Sequence, residues 1–281
     1  VGHLDAAQML APMLLATHMG IGGLRKPMLT PFSMGMNGNA FTISTRLAEQ
    51  LSDVSRCAVV AGDAASALTT LREVITGRKH RRQAPLVFAI VFPFSLHNLL
   101  LRDWLASAGI NPDLDIQLVV LPPSQMVDHL KLQHIDGFFA GAPWNTVAIE
   151  QGVGECLVAG PDLWSSAPDK VLGVTQIWAE TYPNTLKALV RALYDGCQWA
   201  DNNRVAGADL LSKHIHLPRE LLLPALQGQF VYRLNEAPLP VNDMLVFNRY
   251  MANYPWAEHA QWFLAQMQRW SWIDTAQNIE D

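Results

Sequence analysis

The chain has 281 residues, half of them hydrophobic and 16% charged, and its 25 acidic and 20 basic side chains leave a net charge of −5. That length holds two lobes of ordinary size, the composition excludes a disordered chain, and the acidic balance gives no global reason to expect direct nucleic-acid binding. The cysteines Cys57, Cys156 and Cys197 are scattered and odd in number, each in an apolar setting that suits a buried thiol, so neither a disulfide framework nor a metal site is expected. This pattern leans towards a reducing compartment. The longest apolar runs, such as 86–94, are too short to span a bilayer. The chain opens on Val1-Gly2-His3-Leu4 rather than on a Met and reads as the middle of a domain, so a first N-terminal βα unit is expected to be missing.

Residues 3–8 read as a strand end and 9–18 as a helix begun near Pro12 and broken by the glycines at 20–23. Segment 31–44 reads as two strands around Asn37-Gly38-Asn39, a strong turn signal whose plainer meaning is a bend and whose functional meaning is amides facing a ligand. Segments 47–51 and 64–76 are helical, and the basic run from Arg78 to Arg82 reads as a solvated loop. A new unit begins at Pro85: 86–92 is an apolar strand of the buried parallel kind, and Ser95 caps a helix that ends at Gly109. Strand, helix, strand and helix follow through 151, the next strand is expected at 171–177, and 184–201 is a long helix. The remainder is helical with loops and ends in an aromatic segment. Its tryptophans Trp256, Trp262, Trp270 and Trp272 suit packing, with a protein docking face as the alternative.

The stretch 121–145 organises the rest. Strands at about 116–121 and 135–140 each lead through a tight turn into a helix, the first presenting Ser124 and Gln125, the second Gly141 and Pro143. Two helix N-termini leaving one edge of a parallel sheet would point backbone N–H groups into a single crevice, which favours an anion. Trp144 suits packing or ligand contact. Other chemistry finds little footing. His214 and His216 lack a third metal ligand nearby, Ser44, Ser95 and Ser124 lack a nucleophile elbow, and no phosphate-binding glycine loop occurs.

Taken together, Asn37-Gly38-Asn39-Ala40, Phe92-Pro93-Phe94-Ser95-Leu96-His97-Asn98, 108–113, Pro122-Pro123-Ser124-Gln125, 136–144 and 247–270 resemble the nitrate/bicarbonate-binding protein family, NrtA-like, a branch of the type II substrate-binding proteins. Within it the chain looks closest to the cytoplasmic nitrate/nitrite sensor branch, NasS-like. The resemblance implies an α/β, two-lobed, periplasmic-binding-protein-like fold with three-layer lobes and a hinge: 1–85 and 181–281 form lobe I, and 86–180 an inserted lobe II. It implies no cofactor and no enzymatic role. The family's ligand-contacting glutamine falls at Gln125 and its backbone donor at Gly141. Its nitrate-contacting tryptophan falls at Met9, next to Gln8, and its lysine at Gln227. Asn37 or Asn39 would reach in from the other lobe, and Trp144 completes the candidate set. Without the lysine, binding would rest on neutral donors and helix ends. The expected function is that of a nitrate or nitrite sensor that controls a cytoplasmic antiterminator protein. The alternative is the periplasmic substrate-binding component of an ABC transporter, with a permease as partner.

Overall fold

The structure, a computed structural model, describes residues 4–57 and 59–273; His3, expected to begin the first strand, lies outside them. Strand β1 (Ala6–Leu10) runs straight into α1 (Ala11–Met19), where Pro12 sits in the first turn and Gly20 closes the last at φ 80°. β2 (Met28–Ser33), the short β3 (Met36–Asn37) and β4 (Asn39–Ser44) follow, with Gly38 at φ 88° as the tight link expected of the Asn-Gly turn. Ser44 caps α2 (Thr45–Ser55) by accepting from the Leu47 N–H, and Asp63 caps α3 (Ala64–His80) through Ser66 N. α3 continues through Arg78, Lys79 and His80, which the sequence reading placed in a loop. Basic side chains in a last turn suit the negative end of the helix, and Lys79 pairs with Asp115 at 2.7 Å.

The next units alternate: β5 (Leu86–Ile90), α4 (Leu96–Ser107), β6 (Ile116–Val120), α5 (Pro123–Lys131), β7 (Gly137–Gly141), α6 (Trp144–Glu150), β8 (Gly154–Ala159) and α7 (Gly160–Leu163). Ser95 caps α4 as its position predicts, accepting from Asn98 N. The strand β8 was not foreseen; its six residues lead directly into α7 with no turn between them. These strands form one five-stranded sheet in the order β6-β5-β7-β4-β8, in which β5 is parallel to β6 and β7 while β4 runs antiparallel to both β7 and β8. The C-terminal ends of four strands and the start of β4 therefore share one edge. Helices α4 to α7 all begin there. At the sheet's centre Phe41 meets Phe88 edge-on at 5.0 Å and Phe139 at 6.0 Å, and all three rings are fully buried.

A second, three-stranded antiparallel sheet has the order β1-β9-β2, with β9 (Lys170–Thr175) in the middle. Helices α8 (Gln176–Thr181), α9 (Pro183–Asn202), α10 (Arg204–Ile215) and α11 (Arg219–Leu226) follow it. Then come β10 (Gln229–Phe230), β11 (Leu239–Pro240), β12 (Leu245–Val246), a 3-10 turn at Arg249–Met251 and α12 (Ala257–Arg269). α12 packs on both α1 and α4. Trp262 packs tilted against Trp164 at 4.7 Å, and the Arg102 guanidinium lies 5.1 and 5.3 Å from the Trp270 and Trp272 rings, the packing role expected of these three tryptophans, whereas Trp256 is exposed. Cys156 and Cys197 are buried, but Cys57, read as a buried thiol, is exposed just past the end of α2.

The boundaries expected at 86 and 180 do not follow the sheets. β4, at 39–44, pairs inside the five-stranded sheet, and β9, at 170–175, pairs with β1 and β2. An apolar strand such as Ala40-Phe41-Thr42-Ile43 carries no local mark of which distant strand it will join. The chain thus crosses between the sheets at about 34–38 and again at about 160–169. These crossings are laced together: Met34 N donates to Lys170 O at 2.8 Å, Asn37 N to Ala167 O at 2.8 Å, and Met36 bridges Pro168. β12 pairs with β3 alongside them, which makes the connection a narrow ribbon between two lobes.

Candidate functional site

Where the ribbon joins the lobes, a cavity of about 760 Å³ opens. One wall is formed by Gln8 of β1, the crossing at 34–38, the turn from Gly141 to Trp144, and Asp169 with Lys170, and its polar side chains are Gln8, Asn37, Asp169 and Lys170. Its far wall is apolar and comes from α9, α10, α11 and β12. Asp169 and Lys170 are the charged groups among the described lining residues, and they pair with each other. Asp169 Oδ2 also lies 3.8 Å from Nε2 of His97, in the first turn of α4. His97 is 1% exposed and neither ring nitrogen has a hydrogen-bond partner. Burial drives its pKa down to about 4, Asp169 pulling it back up and Lys170 adding to the fall, so the ring is neutral at pH 7. Burial, the largest single influence, would raise the Asp169 carboxyl, but Lys170, through charge and hydrogen bond, and His97 together outweigh it and the net shift is downward. The cleft thus carries the Asp169–Lys170 pair, and the neutral imidazole of His97 lies buried behind Asp169 without lining the cavity.

The Lys170 side chain is 35% exposed and that of Asp169 10%. An entering anion meets the ammonium with its counter-charge behind it, and the pair can orient a small anion without an excess of positive charge.

Four of the residues singled out from sequence converge here: Gln8, Asn37, Gly141 and Trp144. The Asn37 side chain is not free to meet a ligand. Its Nδ2 donates to Ser165 O at 2.9 Å and Asp243 O at 2.8 Å, and its Oδ1 accepts from Ala167 N at 3.1 Å, so it staples the ribbon. Asn39 is fully buried beside Gly160, and neither its Oδ1 nor its Nδ2 has a partner. Met9 takes the opposite face of β1 from Gln8, as strand alternation requires, and its sulfur packs against Gly173.

Gln125 is exposed in the first turn of α5 and does not line the cavity. Consecutive βα units suggested adjacent helix ends, but β5 lies between β6 and β7, which sets the two turns about 10 Å apart across the sheet. Gln227 is also exposed and lines a separate cavity beyond Leu226. Lys170, Asp169 and His97 were missed. The signal available was a charged pair at the mouth of a strand, just after Pro168, and a histidine directly behind a helix cap in a segment already noted for other reasons.

Among the described residues no group of three or more His, Cys, Asp or Glu side chains could hold a metal ion, and no helix is long and apolar enough to cross a membrane.

Two α/β lobes joined by a laced ribbon, with a cavity at the junction, define a substrate-binding protein of the type II fold. The chain belongs to the NMT1-like family, whose model matches residues 1–213. It is 36% identical to the nitrate import ATP-binding protein NrtC of Synechocystis, over 98% of this chain and 39% of that protein. It is 33% identical to the bicarbonate transport ATP-binding protein CmpC of Synechococcus elongatus, over 99% of this chain and 40% of that one. The chain thus spans about two fifths of the length of these curated relatives. The crystal structure of the periplasmic nitrate-binding protein NrtA from Synechocystis superposes with a TM-score of 0.86 at 26% identity, over 98% of this chain and 69% of that one. These relatives are named for import and binding, and none for control of an antiterminator, so the sensor expectation gains no support from them.

Proposed function

We propose that this chain is the anion-binding module of an ABC import system for a small monovalent oxyanion, nitrate or bicarbonate. The observation that carries the reading is the cleft itself, with Lys170 as the cation among its described lining residues, held at the junction of both lobes. Closure of the lobes on an anion at Lys170 is a population shift whose size equals the anion's extra affinity for the closed state. The relatives' names supply the transported class. Identity is higher to the ATP-binding proteins than to the periplasmic receptor, 36% and 33% against 26%, which supports a module working with the ATPase on the cytoplasmic side. In that setting the partner is the transporter's own machinery rather than an antiterminator.

Calorimetric titration with nitrate and with bicarbonate tests this. One of the two should bind at one site per chain. Lys170→Met should weaken binding by about 1.5–3 kcal/mol, roughly tenfold to a hundredfold, the worth of a hydrogen bond to a charged group. Binding of neither anion, or equal affinity in the variant, overturns the proposal.

A further inference from the structure

The far wall of the cleft suits more than a small oxyanion. The cavity, about 760 Å³, lies in the range of roughly 300–1,000 Å³ that takes drug-sized ligands, and nitrate would fill a small part of it. α9, α10, α11 and β12 bring no charged side chain to it among the described residues. On α10, Leu211 and Ile215 are one turn apart, line the cavity together and are 40% and 43% exposed. On α9 the half-buried Leu193 is followed by the exposed Gly196, where an added β-carbon would meet nothing within 4 Å. The α9 side of the cavity is therefore open space. Aliphatic side chains left this accessible inside a recess mark a ligand groove rather than a core.

The opposite wall supplies a polar anchor. In the β1–β9 ladder Gln8 stands across from Leu172 and Leu10 across from Lys170, so the Gln8 and Lys170 side chains share one face as diagonal neighbours. Both line the cleft, and both are accessible there: Gln8 is exposed, and the Lys170 side chain is 35% exposed. An ammonium has three donors, and Asp169 Oδ2 takes one of them. The cleft thus offers one accessible cation with an amide beside it, facing an uncharged aliphatic surface.

We propose that the cleft takes, besides a small oxyanion, an aliphatic monocarboxylate of short to medium chain, its carboxylate on Lys170 and Gln8 and its chain against Leu211, Ile215 and the open side of α9 at Gly196. This rests on the reading of Lys170 as the anion anchor. A carboxylate is bicarbonate with the hydroxyl replaced by carbon, so its head presents the same planar pair of oxygens to the ammonium. Its chain then displaces water from the exposed leucine and isoleucine, which a bare inorganic anion leaves wet. A dicarboxylate would bring its second charge to a wall without a cation, and a hydroxylated chain would lose water there without gaining a partner.

The test is calorimetry on the whole chain with acetate, butanoate, hexanoate and octanoate, and with octan-1-ol as the chain without the charge. Binding should occur at one site per chain and tighten about two- to fourfold per added methylene, the worth of moving that group from water to an apolar surface. Octan-1-ol should bind at least about tenfold more weakly than octanoate, and Lys170→Met should weaken octanoate by a similar factor. Gly196→Leu fills the open side of α9 with a good helix former and should flatten the series, octanoate binding no more tightly than acetate. Circular dichroism of the variants separates lost binding from lost fold. Equal affinity along the series in the wild type, octan-1-ol binding as tightly as octanoate, or an undiminished series in Gly196→Leu each overturns the proposal. Nitrate or bicarbonate binding without any carboxylate binding overturns this inference and leaves the import reading standing. Carboxylates binding where neither inorganic anion does supports this inference and overturns that reading.

Discussion

Replacing His97 by Gln should remove a measurable share of the protein's acid sensitivity. His97 is enclosed at the base of α4, and burial holds its pKa at about 4 in the folded chain against 6.5 for the free side chain. The unfolded chain therefore takes up a proton at this site as pH falls below 6.5, and the folded chain does not until about 4. Protonation thus favours unfolding across that window, and stability is greatest above it. From pH 7 to pH 5 the linked loss is about 2 kcal/mol, and about 3 kcal/mol once pH has passed below both values. Asp169 lies 3.8 Å from the ring and its carboxyl is shifted downward, which keeps it a carboxylate as pH falls towards 5. Urea unfolding of wild type and His97→Gln at pH 7, 6 and 5 isolates the term, because every other titrating group is common to both. The wild type should lose about 2 kcal/mol more than the variant between the extremes. Parallel pH dependences would mean that the imidazole already titrates normally, and the argument from burial would fail.

Asn37→Gly keeps the left-handed backbone at φ 66° accessible while deleting the staple, and should cost about 2–4 kcal/mol in denaturant unfolding, since Ser165 O, Asp243 O and Ala167 N all lose a partner. Full stability would show that water replaces the amide at no cost. Asp169→Asn removes the counter-charge behind Lys170 and should tighten anion binding several-fold, by roughly 1 kcal/mol; weaker binding by calorimetry would show that the carboxylate positions the ammonium rather than competing for it. Gln125→Ala should leave anion affinity unchanged in the same titration, within about a factor of two, because its side chain is exposed and off the cleft. A tenfold loss would place Gln125 against the ligand in the closed state.

Local chemistry was legible in this sequence and long-range pairing was not. The cap at Ser95, the glycine stop at Gly20 and the turn at Gly38 are each decided by one or two residues' conformational preferences, and each is where the sequence puts it. The type II fold followed from a family resemblance carried by motifs spread along the whole chain. The placement of Gln125 beside Gly141 failed because strand order is a global property: β5 slots between their strands, and nothing in residues 116–141 says so. Asn37 shows a further limit. An exposed-looking turn amide proved to be a buried cross-link to segments more than a hundred residues away. Position 227, read as the seat of a lost lysine, faces another cavity, while the cleft's ammonium comes from Lys170.

The reversed strand β4 sets the order in which this molecule can assemble. Its two neighbours, β7 and β8, are made about a hundred residues later in the chain, whereas β5, β6 and β7 need only the short crossovers between them. During synthesis, residues 39–44, all buried in the folded chain, leave the ribosome with no partner, and both of their hydrogen-bonding edges stay open until 137–159 have appeared. Sheet closure therefore waits on a long-range loop, whose entropic cost falls on the rate of folding more than on the stability reached. The strand that joins β7 to β8 in the finished sheet is thus open to mispairing until both of them have been made.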